Sequence, residues 1–378
     1  VVGPIASRLR RLVAEAVPRR ARLAYSAGKR GLDPAWAATY GPRADRKSRW
    51  RIAAENAQWA LAHGEVNRFY FTYGMDARSG PGPDAFLSDR EAMSLIQAQI
   101  AEDGAQDVAG VLHDKYLFAL VAEALGHRSP RNLAILDPDG VEWLRPRRPA
   151  SYDTFLRDAK GVDGFVKPVG GRGASGTFAL RVGDGRLRVD GEPGAVEDVV
   201  GRVGGRAVLQ ERVRQHPGAS ALHAASLNTV RLVTVRQGRR AVPLAAAFRA
   251  GVGGRTVDNW SAGGLVVSVD LETGRLRGPG LFKPECGGYE TYGGWVADHP
   301  TTGVRLDGYP LPSFGEAVAL ACRFHGDLGR LRSVGWDLAF TPDGPCVVEG
   351  NTHWTAVMFL ALERGFKDRY LAAVGGGP

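Results

Sequence analysis

Cysteine is scarce in this chain. Three occur in 378 residues (Cys286, Cys322 and Cys346), far apart and without metal-ligand spacing. That argues against a disulfide framework or a zinc cluster and makes a reducing cytoplasm the expected compartment. Long apolar runs are missing as well. None reaches the ~18 residues that a spanning helix needs, and the first residues lack the apolar h-region of a signal peptide. No internal repeat is visible. No glycine-rich stretch is followed by Gly-Lys-Ser/Thr, which excludes a P-loop, and no Ser-His-Asp or Cys-His arrangement stands out. Negative charge is in deficit: the net charge is +9, nearly all from arginine and strongest in the first 51 residues. Nucleic acid, an anionic membrane surface and acidic small molecules all fit such a balance, and arginine also tracks high-GC coding.

What is present is ordinary for a soluble globular protein: 44% apolar and 24% charged residues, in a length that suits two or three domains with a sizeable core. The stretch that organises the rest is Leu331 to Trp354, LRSVGWDLAFTPDGPCVVEGNTHW. Two apolar runs flank Thr341-Pro342-Asp343-Gly344-Pro345, which predicts a β-hairpin. Glu349 and Asn351 leave the same face of a strand, and a turn near Asp343 brings Asp337 across the ladder from Glu349. Asp337, Glu349 and Asn351 on one patch suit a hard cation such as Mg²⁺. The bland reading, a solvated strand face, is weakened by Val347 and Ala339, which odd-number counting puts on that same face.

Before the hairpin, Leu9, Leu12, Val13 and Val17 form one face of a basic helix interrupted at Pro18. It reads either as packed on its own domain or as a peripheral membrane or partner contact. Residues to about 80, with Trp36, Trp50, Trp59 and the run Phe69 to Gly74, look helical and auxiliary. Ser88 and Glu91 form a capping box ahead of AMSLIQAQI. A second helix begins near Asp114, with Leu117, Leu120, Val121 and Leu125 expected as its buried stripe and Gly126 as its end. Lys115 sits in its first turn, where the macrodipole disfavours a cation unless an anion is near. NLAILD reads as a strand, the residues to Pro149 as a Pro/Arg-rich link, and SYDTFLRD as a short helix. Next comes the strand GFVKPV (Gly164 to Val169), then Gly170 to Gly176, then the strand TFALRV. Such a loop, with Lys167 just before it, can fold backbone N–H groups over a polyphosphate, although glycine-rich hairpins are common. Residues 183–191 read as turns, 194–203 as a helix and Ala207 to Val213 as a strand. An antiparallel sheet follows (NTVRLVTVRQ, AVPLAAAFRAGV, GGLVVSVDL, RLRGPGLF), then a glycine-rich loop, 283–312, and an amphipathic helix, about Phe314 to Leu328.

This order of parts resembles the ATP-grasp superfamily. More narrowly, QERVRQHP, SLNTVR, VDNWSAGG, HPTTG, VGWD and VVEGN resemble its sugar-transfer-associated branch, related to α-L-glutamate ligases, over roughly Gly74 to Phe366. The resemblance implies an α+β ATP-grasp fold, two α+β subdomains gripping ATP, with a helical N-terminal extension. The expected division is 1–80 basic extension, 81–150 first part with Lys115, 151–213 lid with the glycine-rich loop, and 214–378 C-terminal part with metal and substrate residues. Lys115 and Lys167 would contact the α- and β-phosphates. Gly170, Gly171, Gly173 and Ser175 would belong to the lid over the triphosphate. Gln210, Glu211 and Val213 would form the hinge at the adenine edge, with Asn228 also on the cofactor side. Asp337, Glu349 and Asn351 would hold Mg²⁺ or Mn²⁺. Arg231 and Arg249, with Lys167, would face the reacting carboxylate and γ-phosphate, and Asn259 matches the N…GG segment of glutamate ligases. Those ligases carry an acid two residues before the arginine, where this chain has Thr229.

The implied activity is an ADP-forming carboxylate–amine (or thiol) ligase working through an acyl phosphate, on a sugar acid or an amino acid. Its partners would be small molecules, with no specific nucleic acid. A grasp-type kinase acting on a hydroxyl is the nearest alternative, and a basic polyanion binder the more distant one. His216 and His299, each before a proline, shape loops or touch substrate. His325 and Trp336 read as core.

Overall fold

The computed structural model describes residues 18–35, 44–170, 176–183, 185–283 and 294–375. The basic helix expected over Leu9 to Val17, the loop residues Gly171, Gly173 and Ser175, and Cys286 lie outside them. Two antiparallel sheets of eight and seven strands dominate the fold. The N-terminal part is helical: α1 (Arg19–Gly31), α2 (Arg49–His63), α3 (Asp89–Glu102), α4 (Gln106–His113) and α5 (Lys115–Ala124). Ser88 caps α3 with the reciprocal Glu91 bond of a capping box. Asp114 caps α5, its carboxylate accepting from the Tyr116 and Leu117 amides. That carboxylate, one residue from Lys115, offsets the unfavourable placement of a cation in the first turn.

The first sheet contains β1 (Asn132–Asp137), β2 (Gly140–Leu144), β3 (Arg147–Ala150), β4 (Asp163–Pro168), β5 (Phe178–Gly183), β6 (Arg186–Val189), β7 (Glu192–Gly194) and β8 (Ala207–Glu211). Helices α6 (Tyr152–Asp158) and α7 (Val196–Val203) cover it, closing a core of Ala134, Leu136, Phe155, Val166, Leu180, Val199 and Leu209. The second sheet runs β13-β12-β11-β10-β9-β14-β15. Its strands are β9 (Thr229–Gln237), β10 (Arg240–Ala250), β11 (Leu265–Val269), β12 (Leu276–Phe282), β13 (Trp295–Val296), β14 (Ser333–Thr341) and β15 (Gly344–Asn351). It shares one large core with α2 to α5, with α9 (Phe314–Leu328), and with α10 (Ala356–Leu362) and α11 (Phe366–Gly375). A single turn, α8 (Pro217–Ser220), precedes β9.

The cores therefore divide the chain into a lid, residues 132–211, inserted into a base built from both sides of it. The division drawn from sequence placed 132–150 with the preceding helices. In the fold those residues form β1 to β3 and belong to the lid sheet, while 89–124 pack with the C-terminal sheet.

Four local expectations are corrected. Leu117, Leu120 and Leu125 are exposed, and α5 buries Phe118, Ala119 and Ala122 instead. The helix KYLFALVAEA is apolar on more than one side, so periodicity did not select the packed face; Phe118 does, packing at a tilt against Phe324 with ring centroids 5.5 Å apart. The Pro/Arg-rich link is a hairpin, with Val141 opposite Ala150 and Leu144 opposite Arg147. Residues 183–191 include a strand, β6, whose buried Leu187 and Val189 alternate with exposed arginines. In the final hairpin Asp337 pairs with Glu349 as expected, but Leu338 pairs with Val347. Val348 is thus an extra residue, a β-bulge, and it moves Val347 to the opposite face from Glu349.

Candidate active site

The sheet register sets a row of charge across three strands. Asp337, in the central strand β14, lies between Glu349 of β15 and Arg231 of β9. Asp337 is 3% exposed and Arg231 7%. Arg231 donates through Nε and Nη2 to the two oxygens of Asp337, the second bond at 2.9 Å. Arg249, from β10, adds Nη1 at 3.0 and 3.1 Å to the same carboxylate. Its Nη2 reaches Asp258 at 2.7 Å. The anion that makes a buried Arg231 affordable is therefore Asp337 itself. Arg249 Nε is buried and has no hydrogen-bond partner, an unspent donor at the cavity wall.

Electrostatics follow from this packing. Burial alone would raise the Asp337 carboxyl; the two guanidiniums beside it hold it far below its usual range. Glu349 goes the other way, pushed up by burial and by the neighbouring Asp337 charge. Asn351 Nδ2 donates to Glu349 Oε1 at 3.2 Å, which leaves the amide oxygen for another donor or a cation. Among the described residues no cluster of three or more His, Cys, Asp or Glu side chains could hold a metal. The Glu349 carboxylate and the Asn351 amide oxygen nevertheless fit Mg²⁺, which completes its shell with water and phosphate oxygens. Asp337 would join them only by exchanging a guanidinium contact for the metal.

A cavity of about 440 Å³ opens over this row, between lid and base. It brings together Lys115, Lys167, Arg231, Arg249, Asn259, Asp337, Glu349 and Asn351. Lys167 reaches it from β4, its ammonium pKa lowered chiefly by burial, with Glu349 opposing the shift and Lys115 adding to it. The Lys115 amide donates to the Val169 carbonyl at 2.9 Å, so α5 begins against the strand end that leads into the glycine-rich loop.

The remaining expected residues lie elsewhere. Gly170 is exposed and does not line the cavity. Gln210 is buried in β8 and donates to Asn132 Oδ1 at 3.0 Å. Glu211 binds Arg131 through its carboxylate, accepting from the Arg131 amide at 3.1 Å and from Nε at 2.7 Å. Val213 is a partly buried residue just past the end of β8. Asn228 is fully buried and braces the approach to β9, donating to the Ala219 and His223 carbonyls at 2.9 and 2.7 Å. His216 caps α8, accepting from the Gly218 amide, and His299 holds the Gly251 carbonyl at 2.9 Å. Both are loop supports. His325 is buried between Thr234 and the Leu331 carbonyl, and Trp336 lies in the core against Phe324.

Two features escaped the sequence reading. Asp258, inside the quoted VDNW motif, accepts from the Thr229 amide at 3.0 Å and from the Thr229 hydroxyl. A carboxylate therefore lies against position 229. His113 and His353 also line the cavity, joined through the Thr352 hydroxyl at 2.8 and 3.1 Å. Their separation of 240 positions left no local signal.

The profile described as sugar-transfer associated ATP-grasp matches residues 105–375, most of the chain. The protein belongs to this family. Its two-subdomain α+β fold is therefore the ATP-grasp fold. Among curated proteins no relative matches. Solved structures that resemble the chain include D-alanyl-alanine synthetase A from Vibrio cholerae, at 11% identity over 70% of this chain and 64% of that one, with TM-score 0.40. Another is the biotin carboxylase domain of the Hydrogenobacter thermophilus 2-oxoglutarate carboxylase in complex with MgADP and bicarbonate, at 11% identity, 72% and 47% coverage and TM-score 0.38. A third is an L-amino acid ligase from Bacillus licheniformis, at 14%, 72% and 55%, with TM-score 0.34. The chain spans less than two thirds of the length of each.

Proposed function

We propose that this ATP-grasp protein is an ADP-forming ligase that joins a carboxylate to an amine or thiol through an acyl phosphate. The observation that carries the reading is one cavity in which two lysines, from the lid and from the helix against it, face two arginines and a carboxylate pair from the base. Phosphorylating a carboxylate sets anion against anion, so positive charge must flank both reactants and water must be kept from the intermediate. Lys115 and Lys167 bind the polyphosphate. Arg249, with its unpartnered Nε, receives the carboxylate or the transferring phosphoryl group, and a planar guanidinium suits either. A carboxylate oxygen attacks the γ-phosphorus, ADP leaves, and the amine then displaces phosphate from the acyl carbon.

Asp337, Glu349 and Asn351 are the residues that would hold Mg²⁺, whose part is to neutralise phosphate charge. A sugar acid or an amino acid is the substrate class we favour, matching the arginines at the base. The cytoplasm, where ATP is supplied, is the compartment. The test is hydroxylamine trapping: ATP with candidate acids should give a hydroxamate together with ADP. Transfer of phosphate to a hydroxyl, with no hydroxamate from any acid that stimulates ADP release, would replace the ligase with a kinase.

A further inference from the structure

The protein's net positive charge comes from one end of the chain. Residues 1–51 hold thirteen lysines and arginines against three acids, ten positive charges net, while the other 327 residues carry one net negative charge. Helices α1 and α2 present part of this segment in a defined geometry. They pack antiparallel through small residues: Gly28 lies against Ala53 and Ala57, Gly31 against Ala53, and Arg20 beside Gly64 at the opposite end. Ala24, Ala27 and Ala60 complete the seam.

On α2, Ile52, Asn56 and Trp59 turn into the protein. At 100° per residue, Trp50, Ala54 and Leu61 fall on the diametrically opposite side. The same sense of rotation from the seam, in an antiparallel pair, places Tyr25 of α1 on that outer side too. Trp50 is 76% exposed, Tyr25 75% and Leu61 49%. On the same wheel Arg22 and Lys29 of α1 and Arg51 of α2 flank this outer side, whereas Arg19 and Arg30 turn away from it. Arg51 donates to Glu55 at 2.7 Å, a buried acid also held by Lys47 and Tyr70, so the flanking cations outside that cluster are Arg22 and Lys29.

An exposed tryptophan, tyrosine and leucine have no use for water, and a surface this cationic repels a second copy of itself. Aromatic rings with polar edges set among arginines match the headgroup zone of an anionic bilayer, where rings sit at the interface and cations meet lipid charge. We propose that the outer face of the α1–α2 pair docks the protein on an anionic lipid surface, with Trp50 and Tyr25 inserted at headgroup depth. Nucleic acid would use the cations, but it gives Leu61 and the apolar edge no partner.

Vesicle co-sedimentation of the full chain tests this. Binding is expected to vesicles of phosphatidylcholine mixed with phosphatidylserine, and not to phosphatidylcholine alone. It should weaken as salt rises from 0.1 to 1 M, where the screening length contracts from about 10 to about 3 Å. Trp50→Ala with Tyr25→Ala should reduce binding about tenfold or more while leaving ADP release unchanged, because neither residue is near the cavity. Arg22→Gln with Lys29→Gln should do the same. Equal binding of the aromatic double variant, or binding to neutral vesicles as strong as to anionic ones, overturns the proposal. So does the absence of vesicle binding together with tight binding to RNA or DNA, or a concentration-dependent dimer lost in the aromatic variant.

Discussion

At the scale of single residues, the site is a set of charges that satisfy one another before any substrate arrives. Asp337 is the pivot, shared by Arg231 and Arg249. Arg231→Ala is therefore expected to do two things. Kinetically, kcat/KM for the carboxylate should fall ~100-fold, the scale of losing one charge-stabilising donor. Thermodynamically, it strips a buried carboxylate of one of two cations, so stability should drop by about 3 kcal/mol, nearer the lower end for breaking a buried pair because Arg249 remains. Urea unfolding of the variant beside steady-state kinetics separates the two, and unchanged stability would mean that the ion pair does not form in solution. Glu349→Gln is the cleaner probe of the cation. It removes charge at constant volume, so ADP release at ordinary Mg²⁺ should vanish while the melting profile stays near that of the parent; retained activity would remove Glu349 from the metal site. The pairing of Asp337 with Glu349 was expected from strand parity and a turn centred on Asp343. The turn instead pairs Thr341 with Gly344, a register that would set Val348 opposite Asp337, and it is the bulge that brings Glu349 there. Asp258 was not legible in the sequence, because its role depends on Thr229 and Arg249, which reach this loop residue from two strands.

At the scale of elements, the final hairpin was readable almost to the residue, and the bulge at Val348 was the exception. Nothing in PCVVEG distinguishes a bulged valine from a paired one. The same hairpin contains a close approach that glycine alone permits. A Cβ on Gly335 would lie 2.1 Å from the Cβ of Trp354, a residue buried at the end of the same hairpin. Gly335→Ala should therefore destabilise by about 1–3 kcal/mol through overpacking, read as a lower denaturation midpoint with unchanged m-value. A neutral substitution there would mean that Trp354 moves freely. The motifs that mark the family (QHP, SLN, HPTTG) have proved to be loop braces more than chemistry: His216, Asn228 and His299 spend their polar atoms on backbone. Short conserved-looking words were informative about ancestry without pointing to the reacting groups.

At the scale of the molecule, the base is one core spanning both ends of the described chain, and the lid is an excursion from it. The sequence division missed this because an insertion leaves no composition shift at its edges. A buried histidine ties base stability to pH. His325, enclosed by Thr234, Trp336 and the Leu331 carbonyl, has its pKa lowered from 6.5 to about 4, burial being the main cause. Between those values the unfolded chain binds a proton that the folded one refuses, so stability is complete above pH ~6.5 and is lost as the pH falls towards 4. The contribution is on the order of 3 kcal/mol. Melting temperature measured across this window should fall more steeply for the parent than for His325→Gln, after each is referenced to its own value at pH 8. Parallel profiles would place the histidine in contact with water.

Glu211 has a mechanical consequence. The chain enters the lid through Arg131 and leaves it through Glu211, and these two crossings are clasped by backbone and carboxylate bonds to each other. Two independent tethers would let a flap twist as well as swing. Joined side by side, they act as a single pin, leaving the flap one axis about which to open. A pair of dyes, one on each half, should then report a single coordinate with two populated distances, and cutting the clasp with Glu211→Ala should blur them into a continuum.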